Sequence, residues 1–217
     1  RMSATPRKRV TNLRSFHLDD EDREHPALSK RLHASRPARL VLVKTKASTD
    51  ATAANLRTVA DAATDAATQL AEGGARTIGV VMNRVALAVA TAKKLQTSKA
   101  GKVLLITGRM RPFDRARIQA QIDALARSGN AVKAEEPTFV VATSCIEAGA
   151  DYDFDGLVTQ VASLPALRQR FGRLNRLGNH EAAAAYVLAC KHEVSKNAKP
   201  DPIYGEALAN TWRFLED

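Results

Sequence analysis

Apolar residues in this chain fall into short runs that do not alternate with polar ones, and longer amphipathic stretches separate the runs. RLVLVK (Arg39–Lys44), TIGVVMN (Thr77–Asn83), KVLLITG (Lys102–Gly108), TFVVAT (Thr138–Thr143), GLVTQVA (Gly156–Ala162) and AAYVLAC (Ala184–Cys190) are rich in Val, Ile and Leu. Such runs suit strands buried on both faces. Between them, Thr49–Glu72, Val85–Gln96, Pro112–Arg127 and Pro165–Leu177 carry helical spacing, with stops at Gly73-Gly74 and Ser128-Gly129. A further amphipathic helix is expected from Ile203 to Leu215, carrying Trp212 and Phe214. Strands alternating with helices of this length predict an α/β fold, a parallel sheet with helices on both faces joined by right-handed crossovers. Arg7–Pro37 is polar and of mixed charge, and reads as a surface connection.

Ligands of such sheets bind at the carboxyl ends of the strands. That places Asn83–Arg84, Thr107–Arg111 and Thr143–Asp151 along one rim. The net charge of +10 and a pI near 9.9 point to a polyanionic partner, either nucleic acid or nucleotide phosphates. No apolar run approaches the roughly 20 residues of a bilayer span, so no membrane partner is expected. No secretory leader is visible in RMSATPRKRV, and Arg1 ahead of Met2 makes the chain an expected piece of something longer. Cys145 and Cys190 are too few for a disulfide framework or a zinc site and suit a reduced, cytoplasmic setting.

Three segments carry candidate chemistry. LRQRFGRLNRLG (Leu167–Gly178) holds Arg168, Arg170, Arg173 and Arg176 with no acid among them. Like charges on one helix repel, and Gly172 within it costs roughly 1 kcal/mol relative to alanine. A segment that breaks two local rules together marks a functional site. Leu167, Phe171 and Leu174 are spaced i, i+4, i+7 as a buried stripe. Gln169, Arg173 and Arg176 share that spacing on roughly the opposite side, which predicts that they project together, away from the core. Triphosphate oxygens suit such guanidinium forks, and Gly172 would let a backbone or a nucleotide approach closely.

In VATSCIEAGADYDFD (Val141–Asp155), Thr143 and Ser144 close a strand and suit a phosphate, whereas an acid such as Glu147 or Asp151 suits a ribose hydroxyl or an arginine. In TGRMRPFDR (Thr107–Arg115), Arg109 and Arg111 leave the sheet where they could hold a nucleic-acid backbone, and Pro112 starts a helix with Asp114 in its first turn.

Together these segments carry a resemblance. SAT (Ser3–Thr5), VVMNR (Val80–Arg84), VATSCIEAGAD and QRFGRLNR occur in the order of motifs three to six of superfamily-two helicases. The chain resembles the CRISPR-associated type I helicase–nuclease family, and TGRMRPFDR with RQRFGRLNRLG looks like its subtype with compact effector complexes. The resemblance implies a RecA-like second helicase lobe over 38–192. Residues 1–37 would be the end of the first RecA-like lobe and the interlobe linker, and 193–217 a C-terminal extension with an amphipathic helix.

It further implies a role in each motif. Arg173 and Arg176 match the arginine fingers that reach the γ-phosphate, and Gln169 matches the polar residue that opens their motif. Gly149 and Asp151 match positions that sense nucleotide, Asp151 near the ribose. Thr143 matches a hydroxyl on a phosphate of the tracking strand, with Asn83 and Arg109 on the same strand-binding side. Ser3 and Thr5 match the segment that couples hydrolysis to lobe movement. The expected activity is ATP-dependent DNA translocation in CRISPR interference, an antiviral defence. Its cofactors are ATP and Mg2+, and its partners single-stranded DNA, a first RecA-like lobe and a CRISPR effector complex. The alternatives are a lobe of an unrelated DNA-repair or RNA helicase, and a basic nucleic-acid-binding module without ATPase activity.

Some family features are missing from this stretch. No G-x-x-x-x-G-K-[ST] loop occurs, so the isolated chain is expected to be inactive, with metal ligands lying outside it. DDEDREH (Asp19–His25) follows SAT where a magnesium-binding acidic motif would precede it, and reads as a charged linker. No His-Asp dipeptide occurs, and His17, His25, His33, His180 and His192 are expected to be exposed. Cys145 is expected to be a small buried side chain.

Overall fold

The computed structural model describes residues 18–46, 52–129, 134–147, 149 and 151–217. Ser3, Thr5 and the SAT segment lie outside the described residues. In chain order the elements are α1 (Asp20–Glu24), α2 (Pro26–His33), β1 (Ala38–Val43), α3 (Thr52–Glu72), β2 (Thr77–Val81), α4 (Val85–Ser98), β3 (Lys102–Ile106), α5 (Pro112–Ala126), β4 (Thr138–Ala142), β5 (Gly156–Gln160), α6 (Leu164–Phe171), β6 (Ala185–Cys190), α7 (Lys191–Val194) and α8 (Ala207–Glu216). The strands form one sheet in the order β1-β6-β5-β2-β4-β3, every neighbouring pair parallel.

The central strands β2, β4 and β5 are buried at every position, as their unbroken apolar runs require. α3 and α4 cover one face. Ala60, Ala63 and Ala67 of α3 are fully buried, and such small side chains let the helix lie close to Val80, Val141 and Val158. On the other face, Ile122 and Ala126 of α5 pack with Tyr152, Phe154 and Leu174, while Leu208 and Trp212 of α8 seat on Val187 and Ala189. Gly79 in β2 makes room for the Phe154 ring, whose Cδ2 lies 2.7 Å from where a Cβ would stand.

Three expectations are corrected. RLVLVK is an edge strand, largely exposed, because only β6 pairs with it. The charged segment at Asp19–His25 is the short helix α1, closed by a reciprocal capping box between Asp19 and Asp22, although neither α1 nor α2 buries a residue. The arginine-rich helix α6 ends at Phe171 rather than Leu177. Its continuation is captured by the loop before β5: the Phe154 N–H donates to the Arg173 carbonyl at 2.7 Å, and the Asn175 N–H donates to the Phe154 carbonyl at 2.8 Å. Asn175 then turns left-handed at φ 43°, a conformation asparagine tolerates.

Candidate functional site

The chain passes from β4 on one side of β2 to β5 on the other, so the loops after β2, β4 and β5 meet at the carboxyl end of the sheet, where the strand order reverses. Arg170, 1% exposed, ties these loops together. Its Nε donates to Glu147 Oε1 at 2.9 Å, and an Nη group lies 2.8 Å from the same oxygen. The two Nη groups also reach Thr159 Oγ1 at 2.8 Å, the Gln160 carbonyl at 3.0 Å, Asn83 Oδ1 at 3.1 Å and the Tyr204 hydroxyl at 2.9 Å. Arg170 lies three residues after Leu167 and four before Leu174, on the face those leucines bury, so helical spacing was one signal of its burial. Thr159 and Gln160, polar side chains closing an otherwise apolar strand, were its other available signal.

The expected stripe of Gln169, Arg173 and Arg176 does not form on one helix. Gln169 stays on α6, half-buried, but Arg173 and Arg176 lie in the turn beyond it. Arg173 is also only 8% exposed rather than projecting from the core. One Nη donates to the Glu147 carbonyl at 3.0 Å, and among the described residues its buried Nε has no hydrogen-bond partner. Burial, and then the neighbouring Arg176 charge, pull the Arg173 pKa below the ordinary arginine value. This guanidinium is therefore short of negative charge.

Arg176 is held at its backbone and its tip by one extended segment. The Arg176 N–H donates to Asp153 Oδ1 at 2.6 Å, and its Nε lies 3.3 Å from Asp151 Oδ1. That ion pair is open to solvent, with side-chain exposures of 40% and 57%, so it contributes little and is easily exchanged. Within DYDFD, Tyr152 and Phe154 point into the core while the aspartates divide the polar work. Asp155 accepts the Arg76 and Thr77 N–H groups at 3.0 and 2.9 Å and faces His180 Nε2 at 3.0 Å. His180, and likewise His192 beside Thr45, is half-buried and bonded rather than exposed as expected, because each meets an acceptor from a distant loop.

Burial holds the Asp153 carboxyl above the usual carboxylate range; the Arg176 and Leu177 N–H groups pull the other way, and Asp155 and His180 are its charged neighbours. The folded lobe then binds this proton more tightly than the unfolded chain does. The group's contribution to stability falls as pH rises from about 3.9, the unperturbed aspartate value, through its folded pKa. Asp153→Asn keeps an acceptor oxygen and removes the titration. The parent's melting temperature relative to this variant's should fall as pH rises through the acidic range, and a difference that does not change with pH would count against the assignment.

The remaining expected residues scatter over the rim. Gly149 is exposed and left-handed at φ +75°, a conformation that favours glycine. Thr143 is buried, and the exposed hydroxyl residue at that strand end is its neighbour Ser144. The Asn83 amide donates to the Val161 carbonyl at 2.8 Å and accepts from Arg170, so its side chain braces the loops after β2 and β5. Arg109 is exposed beyond β3. Cys145 is half-buried with its Sγ toward the Ile106 carbonyl, and burial pushes the Cys190 thiol far above its ordinary range, which leaves it inert.

Arg31, Arg36, Arg168 and Arg176 line an open cleft of about 420 Å³ with Phe171 and Gly172. Arg36 clamps the turn from below, donating from Nε to the Leu174 carbonyl at 2.6 Å and from Nη to the Asn175 carbonyl at 2.8 Å. Gly172 has ordinary helical angles and presents a bare backbone to this cleft.

A parallel sheet with this strand order, its arginines gathered where the order reverses, has the fold of a RecA-like C-terminal helicase lobe, as the resemblance implied. Residues 74–179 match the family described as CRISPR-associated nuclease/helicase Cas3, C-terminal, and the chain resembles the C-terminal helicase lobe of that family. It is similar to a CRISPR-associated nuclease/helicase Cas3 of Streptococcus thermophilus, 33% identical over 46% of this chain and 12% of that protein. Among solved structures, the crystal structure of T. fusca Cas3-ADP superposes with a TM-score of 0.63 at 21% identity, over 83% of this chain and 20% of that one. A chain of a CRISPR RNA-guided surveillance complex, pre-nicking, gives a TM-score of 0.62 at 22% identity, over 84% of this chain and 22% of that one. The chain thus spans a small part of the length of its relatives.

Proposed function

We propose that this lobe is the second motor half of an ATP-dependent DNA translocase acting in CRISPR interference, and that it completes a nucleotide site whose phosphate-binding wall lies on a first RecA-like lobe. The observation that carries the reading is the pairing of Arg173, whose buried Nε is unpartnered, with Arg176, whose only ion pair among the described residues is the exposed one to Asp151. Both fit a polyphosphate. Bound ATP with Mg2+ would supply the phosphoryl group whose transfer to water builds negative charge. Arg176, and Arg173 behind it, neutralise that charge as arginine fingers. Asp151, released from Arg176, suits the ribose, Gln169 the same phosphate, and Gly149 the tight turn between them. The metal ligands belong to the missing wall.

On the same rim, Arg109 and the Thr143–Ser144 turn grip single-stranded DNA, and alternation between closed and open lobes steps the motor along it. Residues 1–37 carry the link to the first lobe, with Ser3 and Thr5 coupling hydrolysis to movement, and 193–217 form an extension of the lobe. A CRISPR effector complex delivers the strand.

Phosphate release in the presence and absence of single-stranded DNA, measured on the protein that carries this chain, tests the reading as a whole, since a motor turns over faster on its track. Arg109→Ala is expected to weaken strand binding and to lower the slope of log affinity against log salt by about 0.7, with basal hydrolysis nearly unchanged. An unaltered salt slope would remove Arg109 from the strand path.

A further inference from the structure

Phe113 stands 80% exposed on the second residue of α5. A phenylalanine left in water forfeits about 2 kcal/mol of burial, and no other large apolar side chain of the described residues is as exposed. It heads the outer stripe of its helix. Phe113, Ala116, Arg117 and Ala120 share the i, i+3, i+4, i+7 spacing, and all four are exposed. The alanines leave the surface beside the ring low and flat. Arg109 is exposed in the preceding loop. Arg111, 84% exposed at its side chain, gives among the described residues only its Nε to Asp114, at 2.7 Å. Arg115 is half-exposed on the next turn.

The patch lies on the proposed nucleic-acid rim. β3 and β4 run parallel with Ile106 opposite Ala142, so the loop carrying Arg109 and the Thr143–Ser144 turn leave the sheet side by side. An aromatic face among four arginines and one aspartate calls for a ligand that is anionic and also presents flat apolar faces. Single-stranded nucleic acid is that ligand, because its phosphates meet the guanidiniums while its unstacked bases meet the ring. A duplex hides those base faces.

We infer that Phe113 is a base-stacking platform for single-stranded DNA, with Arg109, Arg111 and Arg117 guiding the phosphates past it. The inference rests on the strand-binding reading above and goes beyond it by naming a contact to bases. Stacking is tolerant of sequence, which suits a motor that must pass over any base.

The test uses fluorescence anisotropy of a fluorescein-labelled deoxythymidine oligonucleotide with the protein that carries this chain, titrated at several salt concentrations. Phe113→Ala is expected to weaken binding on the order of tenfold without changing the salt slope, since a benzyl group releases no counterions. Phe113→Trp is expected to restore or tighten binding. Arg109→Ala, run beside them, should lower the slope. If Phe113→Ala binds like the parent while Arg109→Ala lowers the slope, the stacking platform is overturned and the strand-binding reading survives. If neither variant differs from the parent, both fall. If Phe113→Ala weakens binding and Phe113→Trp fails to restore it, the ring acts by packing, and stacking is overturned. If Phe113→Ala leaves DNA binding intact but disrupts association with a protein complex, the patch is a protein interface and the proposal fails.

Discussion

Arg176→Ala is expected to abolish nucleic-acid-stimulated ATP hydrolysis, by on the order of a thousandfold or more, while leaving the lobe folded. Among the described residues the guanidinium tip carries only the solvent-exposed pair with Asp151 at 3.3 Å, and exposed pairs contribute roughly 0 to 1 kcal/mol. The anchor that shapes the turn is the Arg176 N–H to Asp153, at 2.6 Å, and alanine retains it. Loss of turnover with an unchanged unfolding midpoint would therefore report a missing charge at the phosphate. Arg176→Lys should recover little, because an ammonium lacks the planar fork that meets two phosphate oxygens. Undiminished turnover in a steady-state phosphate-release assay would end the finger assignment. Arg173 is the weaker probe, since it is largely buried and its removal disturbs packing around the Glu147 carbonyl as well.

The largest effect on stability is expected from Arg170→Ala. Removing one partner of a buried, fully bonded ion pair costs about 3–5 kcal/mol, because the other charge and its companions stay behind without compensation. Here Glu147, the Thr159 hydroxyl, the Gln160 carbonyl, Asn83 and the Tyr204 hydroxyl would all lose a donor at once. Urea unfolding should show the midpoint fall with little change in slope. A loss below about 1 kcal/mol would mean that water replaces the guanidinium readily and that the loops are not held by it. Arg170→Lys should recover only part of the loss, because a single ammonium cannot reach acceptors from the loops after β2 and β4, from β5 and from the segment before α8 together. The two arginines are thus separable: Arg176→Ala should remove turnover and spare the fold, whereas Arg170→Ala should weaken the fold itself.

The elements of the sheet were legible because their signals are local. Unbroken Val, Ile and Leu runs mark strands covered on both faces, and glycines and prolines mark the ends of the helices between them. The arginine-rich segment misled for the same reason. Its leucines and phenylalanine keep helical spacing through Leu174, yet the backbone of Phe154 takes over the chain at Arg173 and Asn175. The contact crosses some twenty residues, and no periodicity reports it. The mistaken helix carried a mistaken surface with it, for Arg173 turned inward and the supposed stripe came apart.

Local pattern settles that this chain builds a parallel α/β lobe with its polar chemistry on the carboxyl rim, because side-chain period and turn residues act over a few neighbours. Which of several similar arginines becomes a buried brace, and which stays exposed on the rim, is decided only when the loops converge. A guanidinium can leave water only where distant acceptors surround it, and for Arg170 those acceptors come from Asn83, Glu147, Thr159, Gln160 and Tyr204.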